Sequence, residues 1–286
     1  MRKRLFVLPF LAANALLAAH AAVRLGVSLA GGGGREETWG AALVAHGAPL
    51  VAIAAAPQLG APRVAQRLAP VFVLSGAATA WLTARLPDDW AAAVAAGLAG
   101  LAGTVVYHRW YSRFGRAPSR ALRIGEPLPD ATFEELDGSP VSTAELPGVP
   151  VALFFFRGNW CPFCMAQVRE AVAGYDELER AGVRVLMVSP QPDAQTRELA
   201  ERFGAKVEFL RDPDLAGARE LGIVDREGVP AGVTGYGQDT VLPTLVVLDH
   251  DGRVLLADQT DDYRLRPTPR TVLEALAATA RPAWTA

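Results

Sequence analysis

Apolar residues follow two different patterns in the two parts of the chain. In residues 1–118, four long uncharged stretches follow one another, and none has the polar stripe of an amphipathic helix in a soluble bundle. A helix that crosses a bilayer needs about 20 mostly apolar residues. The pattern therefore predicts four membrane-spanning helices, at about residues 5–23, 39–57, 68–84 and 90–108.

Two alternatives to this prediction remain open. The stretches are rich in alanine, so a helical bundle in water is the alternative for all of them. Arg2, Lys3 and Arg4, followed by an apolar run that ends in Ala-His-Ala at 19–21, also resemble a cleaved signal peptide. Three spans would then remain, and the second part of the chain would still lie on the same side of the membrane.

Short apolar runs separated by turn residues replace this pattern beyond residue 123. The run 149–156 is almost wholly apolar, as in a strand that is buried on both faces. The pattern predicts an α/β domain over 124–286, with a central mixed sheet and helices on both faces. Its predicted elements are helices at 162–181, 194–203, 215–221 and 269–280, and further strands at 183–189, 207–210, 245–248 and 254–256.

Charge divides the chain at the same place. The net charge of −2 combines +7 in residues 1–118 with −9 in residues 119–286. Basic residues flank the cytoplasmic ends of membrane helices, so we expect a multi-pass protein of the cell membrane with its second domain in the cytoplasm, joined by a basic linker at 109–123. The acidic second domain excludes nucleic acid as a partner. The flanking residues are Arg2, Lys3, Arg4, Arg63, Arg67, Arg109, Arg113, Arg116, Arg120 and Arg123.

The candidate chemistry lies in one turn. Cys161 and Cys164 are the only cysteines, which excludes a disulfide-rich scaffold and a four-cysteine zinc site. They occur in Cys-Pro-Phe-Cys between a predicted strand and helix, so the helix N-terminus is expected to lower the pKa of Cys161, the nucleophile. Cys164, one helical turn later, would resolve the product. Structural cysteines, or half of a metal site, are the alternatives; we expect neither a metal nor a cofactor.

Longer runs around this turn resemble the thioredoxin-like superfamily, in its alkyl hydroperoxide reductase/thiol-specific antioxidant (AhpC/TSA) branch. They are residues 125–130, 154–164, 188–190 and 209–214, and the resemblance extends over about 122–282. It implies a thioredoxin fold, dithiol chemistry and a cis-proline at Pro243 that faces the cysteines. The substrate-binding residues expected around the pair are Trp160, Pro162, Phe163, Leu242, Pro243 and Thr244.

The turn departs from the family pattern in two respects. Peroxiredoxins carry Pro, then Thr or Ser four residues later, then the peroxidatic Cys after three more. If Cys164 is aligned with the peroxidatic Cys, Arg157 stands at the Pro position and Cys161 at the Thr position. If Cys161 is aligned with it instead, Phe154 stands at the Pro position and Gly158 at the Thr position. Neither alignment keeps the hydroxyl, and Phe155 occupies the place of the buried Asp of thioredoxins. Arg157 would stabilise a thiolate, or would be an ordinary surface arginine at a strand end.

Three functions follow as hypotheses. The first is a membrane-anchored thiol-disulfide oxidoreductase, and the second is a thiol-dependent peroxidase. The third is a membrane scaffold that senses redox state without catalysis. The expected partners are the lipid bilayer, a protein disulfide or a peroxide as substrate, and an electron donor such as thioredoxin or a low-molecular-weight thiol.

Overall fold

The structure is a computed structural model that describes residues 3–31, 36–55, 76–77, 100, 102–203 and 207–279. The chain divides into two compact units. The first comprises Met1–Arg113 with Pro230–Gly232, and the second comprises Phe114–Val229 with Val233–Ala286. The second unit thus begins inside the segment that the sequence assigned to a linker.

Two long helices dominate the described part of the first unit, α1 (Val7–Gly31) and α2 (Glu36–Ala55). Two helical segments, Lys3–Gly31 and Glu36–Ala55, are long and apolar enough to cross a membrane. They coincide with the first two predicted spans. The predicted spans 68–84 and 90–108 lie mostly outside the described residues, so the count of four stays a prediction. The other described elements are a 3-10 turn Lys3–Leu5, α3 (Gly103–Val106) and a π-helical segment Tyr107–Tyr111.

Helices α1 and α2 bury a polar pair next to apolar residues such as Phe10 and Trp39, and they expose large apolar side chains. Asn14 and His46 are buried, and the Asn14 Oδ1 atom lies 3.1 Å from the His46 Nδ1 atom. Leu16, by contrast, is 72% exposed, and Val51 is 66% exposed. A helix pair in water normally has the opposite arrangement.

A seven-stranded mixed sheet forms the centre of the second unit, in the order β2-β1-β5-β4-β3-β8-β9. Strands β3, β4 and β5 are parallel to one another, and the other pairings in this sheet are antiparallel. The predicted central mixed sheet is therefore confirmed. The strands are β1 Thr132–Glu134, β2 Pro140–Ser142, β3 Val151–Phe155, β4 Arg184–Ser189, β5 Glu208–Arg211, β8 Thr244–Leu248 and β9 Val254–Asp258. The two-residue strands β6 Val224–Asp225 and β7 Thr240–Val241 form a separate small sheet, which the sequence did not predict.

Strand β3 lies in the interior of the sheet because all five of its residues are apolar. It pairs with β4 on one side and with β8 on the other, and each of its side chains is buried. Leu153 and Phe155 belong to one hydrophobic core that also includes Leu186 and Val246. A strand held on both sides gives the loop that follows Phe155 a fixed starting point.

The helix that follows β3 is interrupted at Gly174, so the prediction of one helix over 162–181 is wrong. A Cβ atom at this position would lie 2.8 Å from the Pro269 ring, and only glycine allows that approach. The helices of this unit are α4 Pro162–Ala173, α5 Tyr175–Arg180, α6 Asp193–Phe203, α7 Ala216–Glu220 and α8 Pro269–Thr279.

Candidate active site

The two cysteines lie at the start of α4, directly beyond the carboxyl end of β3. Cys161 is the N-cap residue, with φ −92° and ψ 109°, and Pro162 begins the helix. Cys164 follows in the first turn, and the spacing brings the two side chains into hydrogen-bonding contact. Both thiols are free and buried, since Cys161 is 2% exposed and Cys164 is 0% exposed.

The pKa values of the two thiols are separated, and in the opposite order to the one expected. Burial raises the pKa of Cys161, and so do its hydrogen bond to Cys164 and the charge of that sulfur. Burial also acts to raise the pKa of Cys164, but the Cys161 thiol, the Arg266 guanidinium and the Arg157 N–H together lower it to about 5. Burial and the neighbouring sulfur thus act against the lowering of the Cys161 pKa that was expected from the helix N-terminus.

Arg266 is the cation in contact with Cys164, and no local sequence pattern marks it. It is 5% exposed, and its Nη2 atom lies 3.9 Å from the Cys164 Sγ atom. Its Nη1 atom donates to the carbonyl oxygen of Leu265 at 2.7 Å. Nearby, Asp262 and Arg264 form a buried ion pair at 2.7 Å, which orders the turn before α8.

Arg157 is buried, so its interpretation as a surface arginine is wrong. It is 8% exposed, and its Nη2 atom donates to Asp225 Oδ2 at 3.2 Å and to the carbonyl oxygen of Gly228. Its guanidinium carbon lies 4.9 Å from the centroid of the Trp160 ring. The charge of Arg157 acts on both sulfurs, and its backbone N–H donates to Cys164.

The loop between β3 and Cys161 is held by polar contacts and by one glycine. Gly158 has φ +141°, and a Cβ atom there would lie 2.8 Å from Trp160 Nε1. The N–H of Asn159 donates to Gln191 Oε1 at 2.8 Å, and the Tyr236 hydroxyl donates to Asn159 Oδ1. The tight approach of the indole thus requires glycine at this position.

Of the predicted substrate-binding residues in the motif, only Pro162 is exposed. Trp160 is half-buried beside Tyr236, with 6.5 Å between the ring centroids. Phe163 is buried against Tyr263, with ring centroids 5.2 Å apart. The accessible surface next to the dithiol therefore consists of Trp160 and Pro162, while Phe163 belongs to the core.

The segment Leu242-Pro243-Thr244 lies across the sheet from the end of β3, because Thr244 pairs with Phe155. The Leu242 N–H donates to the carbonyl oxygen of Ile223 at 2.7 Å, and the Thr244 hydroxyl donates to the carbonyl oxygen of Leu242 at 2.9 Å. The peptide bond before Pro243 is trans, so the prediction of a cis-proline is wrong. Trans is the favoured isomer by about 0.5–1 kcal/mol in X-Pro bonds.

Several buried N–H donors near the dithiol have no acceptor within the described ranges. They are Nε of Arg157, Nε of Arg266, Nε1 of Trp160 and Nε2 of Gln191. All are donors only, so the group that completes their hydrogen bonding must bring acceptor atoms.

Comparison with known proteins finds similarity to one family within the second unit. Residues 124–257 match the profile of the AhpC/TSA family. Thiol-disulfide oxidoreductase ResA from Halalkalibacterium halodurans is 25% identical over 149 residues, which cover 52% of this chain and 74% of that one. Peroxiredoxin Q, chloroplastic, from Gentiana triflora is 28% identical over 149 residues, which cover 49% of this chain and 64% of that one.

Further similarity comes from Escherichia coli peroxiredoxin Bcp and from solved structures. Bcp is 24% identical over 133 residues, covering 46% of this chain and 83% of that one. Reduced Prx3 from Vibrio vulnificus has 24% identity and a TM-score of 0.47, covering 54% of this chain and 98% of that one. The second unit thus has a central mixed sheet of the thioredoxin-like kind, and its residues 124–257 are similar to the AhpC/TSA family. The named sequence relatives are thiol-disulfide oxidoreductases and peroxiredoxins, which are enzymes, and we assign enzymatic function to this chain.

Proposed function

We propose that this protein is a membrane-anchored, thiol-dependent peroxidase in which Cys164 reacts with a hydroperoxide and Cys161 resolves the product. One observation carries the proposal: the Cys164 sulfur is fully buried 3.9 Å from the Arg266 Nη2 atom, and the Arg157 N–H donates to it. A buried sulfur suits a small hydroperoxide better than a protein disulfide, which needs an exposed sulfur for attack. This reverses the order of roles expected from the sequence.

In the first step, the Cys164 thiolate attacks the terminal oxygen of the hydroperoxide. The S–O bond forms, the O–O bond breaks, and the alkoxide leaves and takes up a proton. The sulfur is thereby oxidised to a sulfenic acid while the hydroperoxide is reduced to an alcohol or water. The buried N–H donors of Arg157 and Arg266 that lack acceptors are available to the peroxide oxygens.

In the second step, Cys161 attacks the Cys164 sulfur. An S–S bond forms, the S–O bond breaks, and hydroxide leaves and is protonated to water. Burial is the main cause of the raised pKa of Cys161 and persists, but oxidation of Cys164 removes the charge of its thiolate, a further cause, while Arg266 and Arg157 still act to lower that pKa. The resolving thiol is therefore more easily deprotonated after the first step than before it.

In the third step, an external thiol reduces the disulfide. Thioredoxin or a low-molecular-weight thiol supplies the two electrons and is itself oxidised to a disulfide. We propose that the donor approaches over Trp160 and Pro162, the accessible part of the motif. Leu242, Pro243 and Thr244 would bind the donor on the opposite side.

A thiol-disulfide oxidoreductase with Cys161 as the nucleophile is the second candidate. It is favoured by the position of Cys161 at the N-terminus of α4, beside the accessible Trp160 and Pro162, and by the similarity to ResA. In this case, Cys161 attacks a substrate disulfide and Cys164 then releases the reduced product.

The two candidates separate in parallel assays of the full-length protein in detergent. We expect consumption of hydrogen peroxide with a thiol donor, and little reduction of insulin disulfides. Cys161→Ser should still consume one equivalent of peroxide and then stop, whereas Cys164→Ser should consume none. Insulin reduction that is lost in Cys161→Ser, without peroxide consumption in any variant, would establish the second candidate instead. If the protein has neither activity, the remaining hypothesis is a membrane scaffold that senses redox state without catalysis.

The membrane anchor is supported by the arrangement of α1 and α2. Large apolar residues such as Leu16 and Val51 face outward, and the polar pair Asn14 and His46 lies inside, as expected for helices surrounded by lipid. We further propose the multi-pass topology with the second domain in the cytoplasm.

Sidedness can be tested with single introduced cysteines in a variant that lacks Cys161 and Cys164. A cysteine at the exposed Ser139 should resist an impermeant thiol reagent in intact cells and react after lysis. A cysteine at Gly33, which the charge pattern assigns to the opposite side, should react in both. The reverse labelling pattern would contradict the topology.

A further inference from the structure

The segment 114–119, assigned from the sequence to a linker, is hydrogen-bonded to the active-site unit. The Phe114 N–H donates to the Asp261 carbonyl oxygen at 2.7 Å, and the Gly115 N–H donates to Asp261 Oδ1 at 2.7 Å. Further along, the Ser119 N–H donates to Gln259 Oε1 at 2.7 Å. These contacts fix the backbone on both sides of Arg116.

The Arg116 side chain reaches the segment that lies opposite the end of β3. Its Nη1 atom donates to the Pro243 carbonyl oxygen at 3.0 Å and to the Thr244 hydroxyl at 3.2 Å. Its Nη2 atom donates to Gln259 Oε1 at 3.2 Å. One guanidinium therefore joins the segment after β9 to the corner where β8 begins. Its two Nη atoms donate to different acceptors, and a Lys ammonium group does not have this planar arrangement of donors.

Arg116 also shares carboxylates with the two cations that act on Cys164. Asp225, which is hydrogen-bonded to Arg157, is one of the carboxylates whose charge acts on Arg116. Asp258 is a second, and both Arg266 and Arg116 act on it. Although burial lowers the pKa of Arg116 to about 10, the guanidinium remains charged at neutral pH.

We propose that Arg116 is a positioning residue of the dithiol site, and that the chain immediately after Arg113 is thus part of the redox machinery. It holds the Pro243–Thr244 corner in place, and it balances Asp225 and Asp258 so that the charges of Arg157 and Arg266 remain available to Cys164. This inference rests on the proposed function, in which Cys164 reacts as a thiolate.

The effect on Cys164 follows from the charges around it. Cys161, Arg157 and Arg266 act directly on that sulfur, and the carboxylates that act on Arg116 are Asp225, Asp258 and Asp261. Without Arg116, Asp225 and Asp258 lose a counter-cation and attract Arg157 and Arg266 more strongly. Thiolate formation at Cys164 should then require a higher pH.

The test is a thiolate titration of the reduced full-length protein by ultraviolet absorbance, with Cys164→Ser subtracted as background. We expect Arg116→Gln to raise the titration midpoint by about one unit. Arg116→Lys keeps the charge and should leave the midpoint unchanged, but it should slow reduction of the disulfide by the thiol donor about fivefold, because the paired contact is lost. Arg123→Gln, an exposed arginine on the same segment, is the matched control and should change neither.

The outcomes separate this inference from the proposed function. If Arg116→Gln titrates and is reduced like Arg123→Gln, the inference is overturned. If Arg116→Gln fails to fold, Arg116→Lys is used instead, and a disulfide reduction rate equal to that of Arg123→Gln overturns the inference. A shifted midpoint in a protein that consumes no peroxide would support the role of Arg116 while rejecting the peroxidase proposal.

Discussion

Replacement of Arg266 by Gln tests the electrostatic basis of the site. The change removes the cation whose Nη2 atom lies 3.9 Å from the Cys164 sulfur and leaves a neutral side chain of similar length. At that separation, the lost attraction amounts to about 1 kcal/mol at the dielectric constant of water and about 4 kcal/mol at an effective value of 20. Since a pKa unit corresponds to about 1.4 kcal/mol, the pKa of Cys164 should rise by roughly 1–3 units.

The consequence for reactivity depends on pH. In the wild-type protein, the pKa of Cys164 is lowered to about 5, so the thiolate is lost only as the pH falls through that value. After Arg266→Gln, the midpoint should lie between about 6 and 8. At pH 7, the rate constant then falls only slightly if the midpoint is about 6, and by about tenfold if the midpoint is about 8. A full pH profile is therefore required, rather than a single measurement.

The assay is the second-order rate constant for reduced protein with hydrogen peroxide, followed by tryptophan fluorescence from low to high pH. Arg270→Gln is the matched control, because that side chain is exposed and paired with Glu274. An unchanged midpoint in Arg266→Gln would refute the electrostatic argument. A shifted midpoint with a lower plateau at high pH would show that Arg266 also stabilises the transition state.

Further predictions concern stability and the loop before Cys161. Gly158→Ala places a Cβ atom 2.8 Å from Trp160 Nε1 at a φ of +141°, so it should lower the free energy of unfolding by about 1–3 kcal/mol in thermal melts and disturb the Trp160 fluorescence. Asp262→Asn leaves the buried Arg264 without its carboxylate and should cost about 3–5 kcal/mol in chemical denaturation. Glu274→Gln, which breaks an exposed ion pair, should cost less than about 0.5 kcal/mol in the same assay, and an equal loss in both variants would contradict the argument from burial.

The elements around the dithiol could be predicted because their signals are local. The continuous apolar run at 149–156 marks a strand buried on both faces, and the structure has β3 at Val151–Phe155. Pro162 suits the first position of a helix, where α4 begins. The requirement for glycine at position 174 was missed because it comes from the contact with Pro269, almost 100 residues away.

The site was predicted only in part for the same reason. Cys161 and Cys164 are recognisable by their spacing, but Arg266 lies 102 residues from Cys164, and nothing in the neighbouring sequence marks it as a partner. The expectation of a lowered pKa for Cys161 left out its burial and the neighbouring sulfur, which both raise that pKa. These are properties of the tertiary packing, and spacing alone does not contain them.

The position of Cys161 has a consequence for survival of the protein under oxidative stress. In the proposed cycle, the resolving thiol occupies the place where peroxiredoxins carry a hydroxyl, and it already contacts the Cys164 sulfur before the peroxide arrives. The oxidised intermediate is therefore captured without unwinding of α4, and its lifetime is short. A second peroxide has little time to convert it to the irreversible sulfinic acid, so high peroxide concentrations should saturate the protein rather than inactivate it.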